Sequence, residues 1–368
     1  MNILNQIALT FTPGLGNASI RRLVDLYPDE DIFSLPQSEL KAAFGSHKDI
    51  VDNILSKCAF PRAEEELHFC EQNHIRPLFF TDTDYPSRLN RPETDDCPAL
   101  LYVLGSADLN PERSVAVVGT RRATAMGRDN TDRIIRELKP YNTPIISGLA
   151  YGIDTAAHSA ALSHGLPTVA VLGHGLDRIY PSQNRPLAKR ILEAGGALVT
   201  EYPNGTAINP GYFPARNRII ASLADATVVV EASEKGGALI TAAIAASYQR
   251  EVFAVPGRLT DTYSRGTNNL IATNRALLVR SADDIAFQLG WPLMGKQTEM
   301  AEIKDTPKLS SDEQKIINAL KTGDHFTLDE IATANSFSLP KTAGILFNLE
   351  MNKLIRTLPG HLYQLINN

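Results

Sequence analysis

From residue 77 onward the chain repeats one alternation, in which short β-branched and apolar runs are each followed by a stretch with helical spacing. That rhythm constrains the fold more than any other feature, because strands separated by helices return parallel and are covered on both faces. Candidate strands are 77–80, 100–104, 115–118, 144–147, 168–172, 197–200, 227–231, 252–255 and 277–279, the last seven carrying the stronger pattern. Val115-Ala116-Val117-Val118 and Val228-Val229-Val230 are continuously apolar, as expected of doubly buried strands. The predicted core is α/β, an extended Rossmann-like doubly wound sheet over residues 71–292.

Smaller elements flank this core. Thr12-Pro13-Gly14-Leu15-Gly16-Asn17 precedes Ile20, Leu23, Val24 and Leu26 at helical spacing, which reads as a helix-hairpin-helix (SAM-like) domain over 1–70. A degenerate second copy runs from Leu40 to Leu55 about a Phe44-Gly45-Ser46 turn. Residues 293–308 lose periodicity and read as a linker. Over 309–368, three helical stretches (from Ser311, Thr327 and Leu339) and an alternating hairpin about Pro359-Gly360 predict a winged helix. Its third helix contributes little positive charge beyond Lys341 and Lys353, so duplex reading and protein docking both stay open.

A net charge of −5 argues against a nucleic-acid partner until its distribution is considered. Residues 1–112 carry −9, 113–295 carry +5 and 296–368 carry −1. Most of the central cations are Arg, whose planar fork suits phosphate oxygens. The helical hairpins lie among Asp25, Asp29, Glu30 and Asp31, where like charge repels phosphate. No apolar run approaches the roughly 20 residues of a membrane span, and the N-terminus does not read as a signal peptide, so a cytoplasmic location is expected. Cys58, Cys70 and Cys97 are too scattered for zinc or a disulfide framework and are expected to be reduced thiols, with no metal and no cofactor.

In open α/β sheets, ligands bind where strand ends meet helix N-termini. Gly119-Thr120-Arg121 follows one strand and suits an anion held by amides plus an Arg, although an ordinary turn reads the same way. It is not the G-x-G-x-x-G of a dinucleotide site. Ser147 to His158 and Leu172 to Pro181 form two further Gly-containing turns. Asp154 and His158, four apart on one helix, read as a structural hydrogen bond in preference to an acid–base dyad. In Phe213-Pro214-Ala215-Arg216-Asn217-Arg218 a proline opens a helix, and two first-turn arginines would oppose its dipole unless an anion binds. Phe213 could stack on a base; an arginine of this pair could instead bridge to Glu201 or Glu231. Glu234-Lys235-Gly236-Gly237 is a further amide-lined cradle. A nucleotide-processing Rossmann enzyme, similar to a nucleoside monophosphate hydrolase and using Glu231 or Asp154, is the rival reading.

In order, V-A-V-V-G-T-R, S-G-L-A-Y-G-I-D-x-x-A-H, L-G-H-G-L-D-x-x-Y-P, F-P-A-R-N-R-I-I-A and V-F-A-V-P-G resemble the signature blocks of the DNA-processing protein A (Smf) family over about residues 75–285. The resemblance implies a non-enzymatic protein that binds single-stranded DNA, dimerises, recruits the RecA recombinase and helps it displace single-strand-binding protein during natural transformation. The DNA-binding set it points to is Gly119, Thr120, Arg121, Gly211, Phe213, Arg216, Asn217, Arg218, Lys235 and Gly236. One departure is Ser182, where members often carry Lys after the Tyr-Pro pair; Arg185 is the nearest substitute.

Overall fold

The computed structural model describes all residues except 46, 91–96, 293–309, 321–325, 353, 359–361 and 366–368. The predicted linker therefore lies outside the described residues, as do Ser46, Lys353 and the Pro359-Gly360 turn. Two compact units result, Met1–Met294 and Gly295–Asn368.

The first unit opens with five helices: α1 (Ile3–Phe11), α2 (Asn17–Leu26), α3 (Gln37–Phe44), α4 (Lys48–Leu55) and α5 (Phe60–Gln72). The turn between α1 and α2 needs Gly14, whose φ is +88° and where a Cβ would meet Ile50 of α4 at 2.9 Å. Both expected helical pairs are present, with α3 and α4 as the second. Ile7, Leu23, Leu40 and Ile54 join Leu101, Val103 and Val199 in one buried cluster, so these helices share a core with the strands of the central sheet.

That sheet contains β1 (Ile75–Phe79), β2 (Leu100–Gly105), β3 (Val115–Val118), β4 (Ile145–Ser147), β5 (Thr168–Val171), β6 (Ala197–Thr200), β7 (Ala226–Val229), β8 (Glu251–Ala254) and β9 (Leu277–Leu278). Its order is β1-β2-β6-β5-β4-β3-β7-β8-β9. From β6 to β9 every pairing is parallel. The connecting helices are α6 (Ala125–Leu138), α7 (Ile153–His164), α8 (Arg185–Glu193), α9 (Tyr212–Leu223), α10 (Gly237–Ser247) and α11 (Arg265–Ala272), with α12 (Ala282–Gln288) last. β1 and β2 depart from the parallel expectation: β1 pairs antiparallel with β2, and β2 with β6. Parallel pairing needs a crossover of a dozen or more residues, usually a helix, and no helix is described between β1 and β2.

The chain runs outward from β3 through β4, β5 and β6, then returns to the other flank of β3 as β7 and continues to β8 and β9. The carboxyl ends of β3 and β7 therefore form a topological switch point, where diverging connections leave a crevice.

The second unit contains α13 (Ser311–Leu320), β10 (Phe326–Thr327), α14 (Leu328–Asn335), α15 (Leu339–Met351), β11 (Ile355–Leu358) and β12 (Leu362–Leu365), a winged helix with sheet order β10-β12-β11. Ile316, Leu320, Ile331, Leu346, Leu349 and Ile355 form its core. Thr327 and Glu330 cap α14 reciprocally. On α15, Lys341 is 2.7 Å from Asp312 and lies over the Phe337 ring.

Candidate nucleic-acid interface

The G-T-R turn leaves β3 at the switch point and is held from below. The Thr120 amide donates to the Glu231 carbonyl at 2.7 Å, and the Ile153 amide donates to the Thr120 carbonyl at 3.1 Å. Gly119 cannot carry a side chain, since a Cβ would lie 2.5 Å from Ile153. Gly152, at φ +79°, is equally constrained by the Thr120 carbonyl, 2.2 Å from an added Cβ. Thr124 caps α6 by accepting from the Gly127 amide. Its own amide and hydroxyl donate to the two Glu231 carboxylate oxygens at 3.0 and 2.5 Å. Glu231 is thus committed to anchoring the turn, while Arg121 and Arg122 project into solvent.

Against this turn lies the start of α9. That helix begins at Tyr212, two residues before the predicted Pro214, which puts Arg216 and Arg218 in its second turn. The expected conflict with the helix dipole does not arise, because the effect is confined to the first turn. The two arginines also part company. Arg216 is only 3% exposed, donates to the Val171 carbonyl and packs on Gly148, where a Cβ would stand 2.0 Å from its Nη1. Burial pushes its guanidinium down to about 10, and the nearby Asp154 charge opposes that shift. Arg218 turns the other way, into a bidentate pair with Glu201.

Asp154 and His158 do not bond to each other, contrary to the sequence reading. The i,i+4 spacing puts both on one helix face, but each finds a closer partner. Asp154 Oδ2 accepts from the Gly148 and Ala150 amides at 3.2 and 3.3 Å. Its pKa is raised by burial, against the pull of Arg216 and those amides. The Thr168 hydroxyl donates to the Ile145 carbonyl at 2.7 Å, so its oxygen accepts from His158 Nδ1–H, also at 2.7 Å. His158 is fully buried and pushed down to about 3 by desolvation, then by Arg216; it is the neutral tautomer, with Nε2 unpaired.

A cleft of about 460 Å³ opens above these groups. Of the ten predicted residues, Gly119, Thr120, Arg121, Phe213, Arg216, Asn217 and Gly236 line it, and Gly211, Arg218 and Lys235 do not. Gly211 is the N-cap of α9, and Lys235 borders a neighbouring groove with Leu239 and Ile244. The Arg121 guanidinium lies 5.6 Å from the centre of the Phe213 ring. Gly236 caps α10 without a side chain, which leaves the first-turn N–H groups beside the cleft uncapped by any side chain. Cations, open amides and an aromatic face thus converge on one concavity suited to a phosphate and a base.

Sequence reasoning missed Arg122 and Tyr263, which also line the cleft, and Asn184, which holds the Leu149 carbonyl at 2.8 Å. The R-R pair offered a signal for Arg122; nothing local pointed to Asn184, 35 positions from its partner. Among the described residues, Cys58, Cys70 and Cys97 are not joined in disulfides. Among the described residues no helix is long and apolar enough to cross a membrane, and no group of three or more His, Cys, Asp or Glu could hold a metal ion.

Comparison with known proteins agrees with this fold. The family model described as DNA recombination-mediator protein A matches residues 76–290, and the DprA winged helix domain model matches 301–361. Protein Smf of Synechocystis sp. is 35% identical over 328 residues, which is 80% of this chain and 81% of the relative. DNA processing protein DprA of Streptococcus pneumoniae is 39% identical over 245 residues, 64% of this chain and 84% of its own. The X-ray structure of DNA processing protein A from Streptococcus pneumoniae superposes with a TM-score of 0.66 at 33% identity, covering 80% of this chain and all of that one. DNA processing protein A from Helicobacter pylori, described for its unique single-stranded DNA binding mode, gives a TM-score of 0.52 at 30% identity, over 58% of this chain and 95% of that one.

Proposed function

The chain belongs to the DNA recombination-mediator protein A family, and on that premise we propose that it binds single-stranded DNA in the switch-point cleft and loads RecA onto the bound strand. The observation that carries the DNA-binding part is the convergence of three separate segments on one concavity: the G-T-R turn, the F-P-A-R-N start of α9 and the Gly pair before α10. Arg121 and Arg122 neutralise phosphates at the rim, Arg216 supplies positive potential from the floor, and Phe213 offers a π-face to a base. Asn217 and the α10 amides complete the polar lining. Lys235, outside the cleft, attracts the strand as it passes.

The RecA-loading step, assembly as a homodimer and indirect displacement of single-strand-binding protein during natural transformation rest on family membership. The protein acts without turnover in this reading. The two carboxylates a nucleotide-processing enzyme would need are engaged, Glu231 with Thr124 and Asp154 with two amides.

Fluorescence anisotropy of a labelled oligonucleotide with the full chain tests the binding step; failure to bind at low salt overturns it. Strand-dependent ATP hydrolysis by RecA on a strand coated with single-strand-binding protein tests loading, and should rise on adding this protein. Release of free base from nucleoside monophosphates, lost in Glu231→Gln, would overturn the non-enzymatic reading.

A further inference from the structure

Beyond the cleft, the carboxyl edge of the sheet carries a second aromatic surface that the binding site just described does not use. Tyr180 lies in the loop after β5, two strands along from β3, which is about 10 Å at ordinary strand spacing. Its ring lies on Phe213, with centroids 5.6 Å apart and planes tilted by 34°. Phe213 in turn faces the Arg121 guanidinium. The three groups form a ladder of neighbours that starts at the cleft and ends on Tyr180, 43% of which is exposed.

The ladder is held in place by its surroundings. The Tyr180 amide donates to Nε2 of buried His174 at 3.2 Å, and His174 Nδ1–H donates to the Gly175 carbonyl at 2.8 Å. Gly173 lets Phe213 approach, since a Cβ there would lie 3.1 Å from the ring. Asn184, in the same loop, bonds the Leu149 carbonyl across the sheet edge. A large, partly exposed aromatic ring whose backbone is hydrogen-bonded and which rests against a second ring is pre-organised for a planar partner, and loses little entropy on stacking.

We propose that Tyr180 is a base-stacking platform for a nucleotide outside the cleft, so that the DNA strand leaves the cleft over Phe213 and runs along the sheet edge towards β5. The assignment rests on the reading that the cleft binds single-stranded DNA. It specifies a path for the strand and a contact made with a base, not with a phosphate.

The test uses the full chain, a labelled oligothymidylate and an all-abasic strand of equal length. Tyr180→Ala should weaken oligothymidylate binding roughly 5- to 150-fold, the range for one lost base–aromatic stack, with the salt dependence unchanged. Tyr180→Phe should retain wild-type affinity, because the ring and not the hydroxyl makes the contact. On the abasic strand the wild-type and Tyr180→Ala proteins should bind alike. If Tyr180→Ala binds oligothymidylate as wild type does while Arg121→Ala is weakened, the cleft reading stands and the platform is overturned. If Tyr180→Ala is equally impaired on the abasic strand, the ring acts only by holding the phosphate-binding side of the cleft, through Phe213 and Arg121, and the proposal is again overturned. If the wild-type protein binds no oligothymidylate, both readings fall together.

Discussion

Arg218 and Glu201 face each other as a bidentate pair, with guanidinium nitrogens 2.5 and 2.7 Å from the two carboxylate oxygens, and both side chains are largely buried. Burial opposes the charge on Arg218, but the Glu201 hydrogen bonds and charge outweigh it and raise its pKa. The second arginine of the F-P-A-R-N-R block therefore ties α9 to the segment after β6. Arg218→Ala leaves a mostly buried carboxylate unpaired and should cost on the order of 2–4 kcal/mol. Urea denaturation will register that loss, while the salt slope of DNA binding by the folded variant should match wild type.

Arg121 is the opposite case, exposed at the mouth of the cleft. Arg121→Ala should change the urea midpoint little and weaken binding to all single-stranded sequences alike. It should also flatten the slope of log affinity against log salt by about 0.7, the share of one neutralised phosphate. An unchanged slope in an anisotropy titration from low to moderate salt would remove Arg121 from the interface.

Gly148 is packed against the Arg216 guanidinium with no room for a methyl group. Gly148→Ala should displace that side chain and cost about 1–3 kcal/mol through overpacking. DNA affinity should fall with it, because the displaced cation occupies the cleft floor. Thermal melting combined with anisotropy at a temperature where the variant is folded separates the two effects.

His158 gives the fold a pH dependence of definite sign. Its folded pKa is depressed from 6.5 to about 3 by burial, so between those values the unfolded chain binds the extra proton. Stability from this group is complete above about 6.5 and falls as pH drops towards 3, by about 1.4 kcal/mol per unit within that window. Asp154, raised by burial, has the opposite sign: its folded form takes up a proton first as pH falls, which partly offsets the loss. His158→Asn retains a donor for Thr168 and cannot titrate. Urea unfolding between pH 6.5 and 4.5 should show its stability declining less steeply than that of wild type.

Much of this protein is legible in one dimension. Strand positions follow from apolar runs that only a doubly covered sheet can bury, as Val115–Val118 illustrates. The G-T-R and F-P-A-R-N segments could be named because strand–turn–helix junctions present amides wherever they occur, although α9 begins two residues before the proline that was expected to open it. The winged helix was readable for the same reason, through three locally spaced helical stretches and an alternating hairpin.

Partner choice was decided only by the tertiary structure. Which arginine faces the cleft depended on where α9 begins and on what lies opposite it: Val171, 45 positions before Arg216, and Glu201, 17 before Arg218. Asp154 and His158 share a helix face, yet strand order offers them the Gly148 amide and the Thr168 hydroxyl instead of each other. Residue order determines local conformation, because torsion preferences and short-range hydrogen bonds act within a few residues. The pairing of charges and the shape of the cleft arise from contacts that exist only once the sheet has set its strand order, with β7 returning to the flank of β3.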